Sequence, residues 1–239
     1  MIETAVIVLL FSATFLVGEY LQLLRRLLHD NRSLISFGSG MAVAYVFMQI
    51  MPELHNVRRL FVESAAVPLL FEGKIIYLLA LLGFLLFYGL NNLSHIVLGT
   101  EHSEPEQRKL QIHIGSLSAY VWLIGYLLVQ RLDPEDSIVL YAMATIFHFL
   151  AIAHELPEKY GALYRLRERF VLAGMCLLGW AVGQLFVMPH MVLALMFAFV
   201  SGGIIINSIM MELPKEKDGR FLPFVTGGVC YALLLLPLG

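Results

Sequence analysis

Polar residues cut this chain into long apolar blocks. The stretches 75–90, 121–129 and 191–206 contain no charged side chain, and short polar strips separate them from their neighbours. A bilayer core of roughly 30 Å needs about 20 apolar residues per helix, whereas strands are far shorter. The pattern therefore predicts eight transmembrane helices, at about 3–27, 34–54, 74–97, 107–130, 137–162, 167–188, 190–212 and 221–238. The expected fold is an all-α integral membrane protein, with residues 1–239 forming a single transmembrane domain.

Composition agrees with the pattern. The chain is 59% hydrophobic and 14% charged, against about 45–50% and about 25% for ordinary soluble domains. Eight helices and their loops leave no length for a separate soluble domain. The net charge of −2 and the lack of a basic stripe give no reason to expect nucleic acid. Cys176 and Cys230 sit in apolar segments and read as small apolar side chains rather than a disulfide. The first block lacks a basic leader and runs into Arg25 and Arg26, so it reads as a retained helix.

Charge placement sets an orientation. Of the 16 Lys and Arg residues, all but Arg58, Arg59, Lys74 and Arg131 lie in the loops after the first, third, fifth and seventh helices. The positive-inside rule places those loops in the cytoplasm and both termini outside. The sequence also echoes itself. Ser39-Gly40 precedes Pro52 as Ser201-Gly202 precedes Pro214, at the same spacing, with Glu53, Glu212 and Glu216 near the prolines. The two segments would run in opposite directions, as in the inverted repeats of secondary transporters. Small residues and prolines are also frequent in membrane helices generally, and the echo alone does not separate the two readings.

The fifth helix carries the candidate chemistry. Ionisable residues within a membrane are costly and ask for a partner or a function. Here His148 is followed by His154-Glu155-Leu156-Pro157-Glu158-Lys159-Tyr160-Gly161. His154 and Glu158 are four apart and share a helix face; Glu155 and Glu158 are three apart; His148 and Glu155 are two turns apart. Pro157 has no N–H and frees the carbonyl of Ala153. Mixed nitrogen and oxygen donors suit zinc, iron, manganese or nickel. If the segment instead reaches the cytoplasmic surface, the same residues are ordinary solvated ones.

The motif His154-Glu155-Leu156-Pro157-Glu158 followed by Gly161 resembles the fifth-helix motif of the ZIP family of divalent metal transporters. The resemblance implies eight helices, both termini outside, and an inverted repeat of helices 1–3 and 6–8. Met51-Pro52-Glu53 and Glu212-Leu213-Pro214 look like that family's second and seventh helix ends. The chain departs from the family in helix 4. His113 is kept, but Leu117 stands where a carboxylate is expected. Helix 6 offers only Gln184, and the His-rich loop is reduced to His95 and His102. The resemblance implies metal ligands at His154, Glu155 and Glu158 and points to His113, which on its own reads as an interfacial histidine; His148, by its place on the Glu155 stripe, and Asn207 complete the candidate metal ligands. Asn207 and Gln49 stand open between ligand and helix contact, Tyr45 and Ser208 read as helix contacts, and Glu19 as a partner of Arg25 or Arg26 or as a side chain snorkelling toward the surface.

The expected function is transport of a divalent cation of the zinc, iron or manganese class toward the cytoplasm, with zinc the first candidate and no enzymatic activity. A ZIP-like metal sensor that no longer transports is the alternative. An intramembrane hydrolase is disfavoured because Glu158 occupies the position of the second His in His-Glu-x-x-His. A metal-free lipid or quinone binder is the remaining class. The expected surroundings are a lipid bilayer in a plasma or inner membrane, a divalent metal ion, no nucleic acid, and a homodimer as the assembly to test.

Overall fold

A computed structural model describes residues 2–27, 31–64, 73–96, 106–130, 138–209 and 220–236. These residues are helical nearly throughout, and no strand occurs among them. The helices are α1 (Ile2–Leu27), α2 (Asn31–Tyr45), α3 (Met51–Ser64), α4 (Lys74–Ile96), α5 (Glu106–Val129), α6 (Ile138–Tyr160), α7 (Leu166–Leu185), α8 (His190–Asn207) and α9 (Phe221–Leu235). A π-helical segment, Val46–Ile50, joins α2 to α3, so the described residues form eight helical rods. The fold is all-α, as the apolar blocks predict.

The second rod differs from expectation. The predicted helix ends near residue 54, whereas the observed one continues to Ser64. The π segment explains how Pro52 is carried. In an α-helix the Pro52 ring would press on the carbonyl four residues back, and its missing N–H would break the ladder. Here the Met51 N–H reaches back five residues to the Val46 carbonyl. The widened turn takes up the misfit, and the helix resumes. The extension buries Leu54, Val57 and Phe61 against Ile76 and Ala80 of α4 and Ala194 and Ala198 of α8, a small core separate from the main one.

Among the described residues, two helices, α5 with 24 residues and α8 with 18, are by length and composition apolar enough to cross a membrane. Shorter apolar stretches lie in α1, α4 and α9. These peripheral helices turn apolar side chains outward: Leu78, Leu81, Leu82, Leu85 and Leu86 form one exposed stripe on α4, and Leu222, Val225, Val229 and Leu233 another on α9. By contrast, among the described side chains of α6 Val139 is the one large exposed hydrophobic residue.

Close backbone approach at glycines fixes how the rods pair. α2 runs parallel to α9, Ser36 meeting Arg220 and Tyr45 meeting Tyr231; a Cβ on Gly40 would strike the Phe224 carbonyl, and one on Gly227 the Phe37 carbonyl. α4 meets α8 in the same way, with Gly83 against Phe199 and Gly202 against Ala80. In each crossing both helices offer a carbonyl three residues before a glycine. α5 and α7 cross through Gly125 and Gly179 against the carbonyls of Cys176 and Trp122, again in parallel. Only glycine lets two backbones come this near.

Two packing groups result. α1, α5, α6 and α7 form one, tied by Ser12 Oγ donating to the Ala173 carbonyl at 3.1 Å and Trp180 Nε1 donating to Thr4 Oγ1 at 3.2 Å. α2, α3, α4, α8 and α9 form the other. Tyr126 Oη and Gln130 Nε2 donate to carbonyls at the end of α7, which its helix leaves without partners. Both cysteines are free thiols, Cys176 buried as expected and Cys230 exposed.

The turn between α6 and α7 buries Tyr164, over whose ring Arg169 lies at 5.3 Å. Its hydroxyl has no hydrogen-bond partner, and burial pushes its pKa up to about 12, with Arg169 opposing and Glu168 reinforcing.

The crossings give a first prediction. Gly40→Ala, Gly202→Ala and Gly227→Ala each lower stability by about 1–3 kcal/mol in thermal unfolding, as overpacking does. Gly174→Ala, which meets nothing within 4 Å, leaves the melting temperature unchanged or raises it. Tyr164 gives a second. Its folded pKa lies above its unfolded value, so the associated stability is present below pH 10 and is lost as pH rises toward about 12. Tyr164→Phe removes the orphan hydroxyl, and a pH series of melting curves should show a smaller loss above pH 10.

Candidate functional site

α6 sits where the two packing groups meet, against α1 on one side and α2 on the other. Its buried face carries Ala144, Thr145, His148, Phe149, Ile152, Ala153 and Leu156, a helical stripe of the kind expected for a central helix. Pro157 lies inside the helix, which runs unbroken to Tyr160. Gly161 then adopts φ +53, the left-handed residue that stops a helix. The stretch that holds the ionisable residues is therefore the last two turns of a rod whose end is set by a glycine.

His148 is 3% exposed, and its Nε2 lies 2.7 Å from the Tyr120 hydroxyl of α5. The two rings meet edge to face at 5.9 Å. Tyr120 in turn packs edge to face on Phe87 of α4 at 5.3 Å. Next to His148, Phe149 is wedged against Phe11 and Phe15 of α1. A buried imidazole needs a hydrogen-bond partner, and the phenol supplies one.

Further along, α5 and α6 are joined again. His113, also 3% exposed, places Nδ1 2.8 Å from the Tyr160 hydroxyl. Residue numbers fall on α6 as they rise on α5, so the pair is antiparallel. His113 and Tyr120 are seven apart and share a stripe on α5. Two histidine–tyrosine bonds, two helical turns apart, thus clasp α5 to α6. The Glu155 carboxylate is close enough to Tyr160 to act on it electrostatically, and Lys159 lies over the same ring at 5.7 Å.

His154 and Glu158 form the i,i+4 pair that their spacing predicts, at 3.4 Å, with side chains 21% and 49% exposed. Glu155 is half-buried. Leu117, at the position where the family resemblance implies a carboxylate, is 2% exposed and belongs to the apolar core. Gln184 and Gln49 are half-buried. Tyr45 packs its ring against Tyr141 and Tyr231. Asn207, on α8, is 5% exposed, and its Nδ2 has no hydrogen-bond partner. The side chains of Glu19 and His95, and residues His102, Glu212, Pro214 and Glu216, lie outside the described residues.

The arrangement thus gathers His113, Tyr160, Glu155, His154 and Glu158 toward the paired ends of α5 and α6, and sets His148 deeper with Tyr120. Among the described residues, no three His, Cys, Asp or Glu side chains come close enough together to hold a metal ion. The charged pair and the two His–Tyr contacts are discrete points along the helix pair. The tyrosines were not singled out by spacing on α6 alone. Tyr120 becomes visible only when its stripe with His113 on α5 is set beside α6.

Comparison with known proteins finds no match for this chain among family models, curated sequences or solved structures.

The deeper pair gives a third prediction. Tyr120→Phe removes the hydroxyl that bonds His148 Nε2, and the cost is about 1–3 kcal/mol in chemical or thermal unfolding. Joined with His148→Leu, the loss is smaller than the sum of the single losses, because the two groups act as one unit. Additive losses would show that the contact contributes nothing.

Proposed function

We propose that this chain is an eight-span integral membrane protein and a ZIP-like transporter that moves a divalent cation of the zinc, iron or manganese class toward the cytoplasm. The observation that carries this reading is the His154–Glu158 contact in the last turns of α6, with Glu155 on the same turns and Tyr160 after them bonded to His113 of α5. Imidazole nitrogen and carboxylate oxygen together suit borderline divalent cations, and water completes a shell from which the ion must later leave.

Several features support the membrane setting. Leucine and valine stripes on α4 and α9 face outward, as lipid-facing surfaces do. The bias of Lys and Arg favours an orientation with both termini outside, in a plasma or inner membrane. The paired crossings support an inverted repeat of helices 1–3 and 6–8. α2 with α9 and α4 with α8 repeat one geometry, Gly40 corresponding to Gly202 and Gly227 to Gly83. A π turn begins six residues after the glycine in both α2 and α8.

Transport then follows from the two packing groups. The ion reaches α6 from the outer side and exchanges water for His154, Glu158 and Glu155. It is released on the cytoplasmic side as the group of α1, α5, α6 and α7 rocks against the other. A ZIP-like sensor that binds metal without moving it is the second reading. It is favoured by Leu117 in place of a carboxylate and by the absence of a three-residue ligand cluster among the described residues.

Uptake into proteoliposomes, scanned over zinc, iron, manganese, cadmium and nickel, separates the readings. Uptake by the native chain that is lost in His154→Ala/Glu158→Ala is the expected result. Binding without uptake points to the sensor, and neither binding nor uptake by folded protein removes both.

A further inference from the structure

The far end of α8 holds two neighbouring polar side chains that the α5–α6 site does not use. Asn207 and Ser208 are 5% and 3% exposed, and Asn207 Nδ2 and Ser208 Oγ have no hydrogen-bond partner. A buried polar atom left without a partner is destabilising, so two in sequence on an otherwise apolar helix call for a reason. They also mark the point where α8 passes into a π turn at residues 208–209. Such turns collect at functional sites.

The location is specific. Gly203, one turn before Asn207 on the same face, lies against Phe87 and Tyr120; a Cβ there would come within 2.7 Å of Phe87 Cδ2 and 3.2 Å of Tyr120 Cε2. Asn207 is therefore about 6 Å along α8 from the residue that touches the Tyr120–His148 pair. The first half of the chain gives an internal control. Tyr45 and Val46 stand five and six residues after Gly40, as Asn207 and Ser208 stand after Gly202. There the space is filled by the rings of Tyr45, Tyr141 and Tyr231. The same step of the fold is plugged by aromatic rings in α2 and carries orphan oxygen and nitrogen groups in α8.

We infer that Asn207 and Ser208 form an oxygen-donor stop for a divalent cation, and that this stop sets the preference for hard ions such as manganese over soft ones such as cadmium. No hydrogen bond holds Asn207 Nδ2 where it is, so a half-turn of the amide presents Oδ1 in its place. With Ser208 Oγ it offers two neutral oxygen donors, which favour hard cations, whereas the imidazoles of the α5–α6 site accept softer ones. The inference rests on the transporter reading.

The test is uptake of manganese and of cadmium into proteoliposomes by the native chain, Asn207→Leu and Ser208→Ala, with thermal unfolding of the metal-free proteins alongside. Asn207→Leu is expected to lower manganese uptake at subsaturating ion about tenfold or more, the scale for losing a group that supports a metal, and to change cadmium uptake far less. It is also expected to melt at or above the native temperature, because an apolar side chain of similar volume replaces an unsatisfied amide. Ser208→Ala shifts selectivity in the same direction. Equal losses for both ions overturn the inference, as does unchanged manganese uptake. A fall in melting temperature would show that Asn207 serves as a helix contact, and overturns it too. Native protein that takes up neither ion overturns it together with the transporter reading; native uptake with unaltered selectivity in both variants overturns the inference alone.

Discussion

Backbone contact at glycine is the constraint on which the rest of this structure depends. Three helix crossings bring a glycine of each helix against a carbonyl of the other: α2 with α9, α4 with α8, and α5 with α7. Where lipid tails surround a bundle, burial of apolar side chains gives little reason for helices to associate. Close packing and weak Cα–H···O contacts must then hold them. Two of these crossings assemble one group of helices and the third helps assemble the other. The position of α6 between the groups follows, and with it every residue of the candidate site.

The contacts across that boundary are of another kind. Phe87 with Tyr120, Tyr45 with Tyr141, and the Gly38 backbone beside the Phe147 ring join the groups through side chains rather than backbones. Rings slide and re-pack more readily than interlocked backbones do. Within the first group, the two histidine–tyrosine bonds keep α5 and α6 in register. The proposed ion path runs along this helix pair, so a metal held by α6 would travel with α5 as one body while the aromatic boundary shifts.

Much of this was legible in the sequence. The eight apolar blocks gave eight rods because uninterrupted apolar length admits almost no other structure. The spacing of His154 and Glu158 gave their contact because helical geometry alone brings i and i+4 together. The Ser-Gly echo was legible too, though its content was not: spacing marked the glycines without naming the carbonyls they meet. Pro52 read as a helix end, since no pattern announces the π turn that carries the chain past it to Ser64. The partners of His113 and His148 lay 47 and 28 residues away, and only the fold brings these long side chains together. Ser208 read as a helix contact, and only the fold shows that its hydroxyl meets none.

The central claim is that metal is held by nitrogen and oxygen donors at the paired ends of α5 and α6. X-ray absorption on the zinc-loaded protein tests it most directly. The account predicts a shell of nitrogen and oxygen at about 2.0–2.1 Å, with imidazole scattering that weakens in His154→Ala. A shell containing sulfur at about 2.3 Å, placing the metal on the exposed thiol of Cys230, would contradict it, as would imidazole scattering unchanged by that substitution.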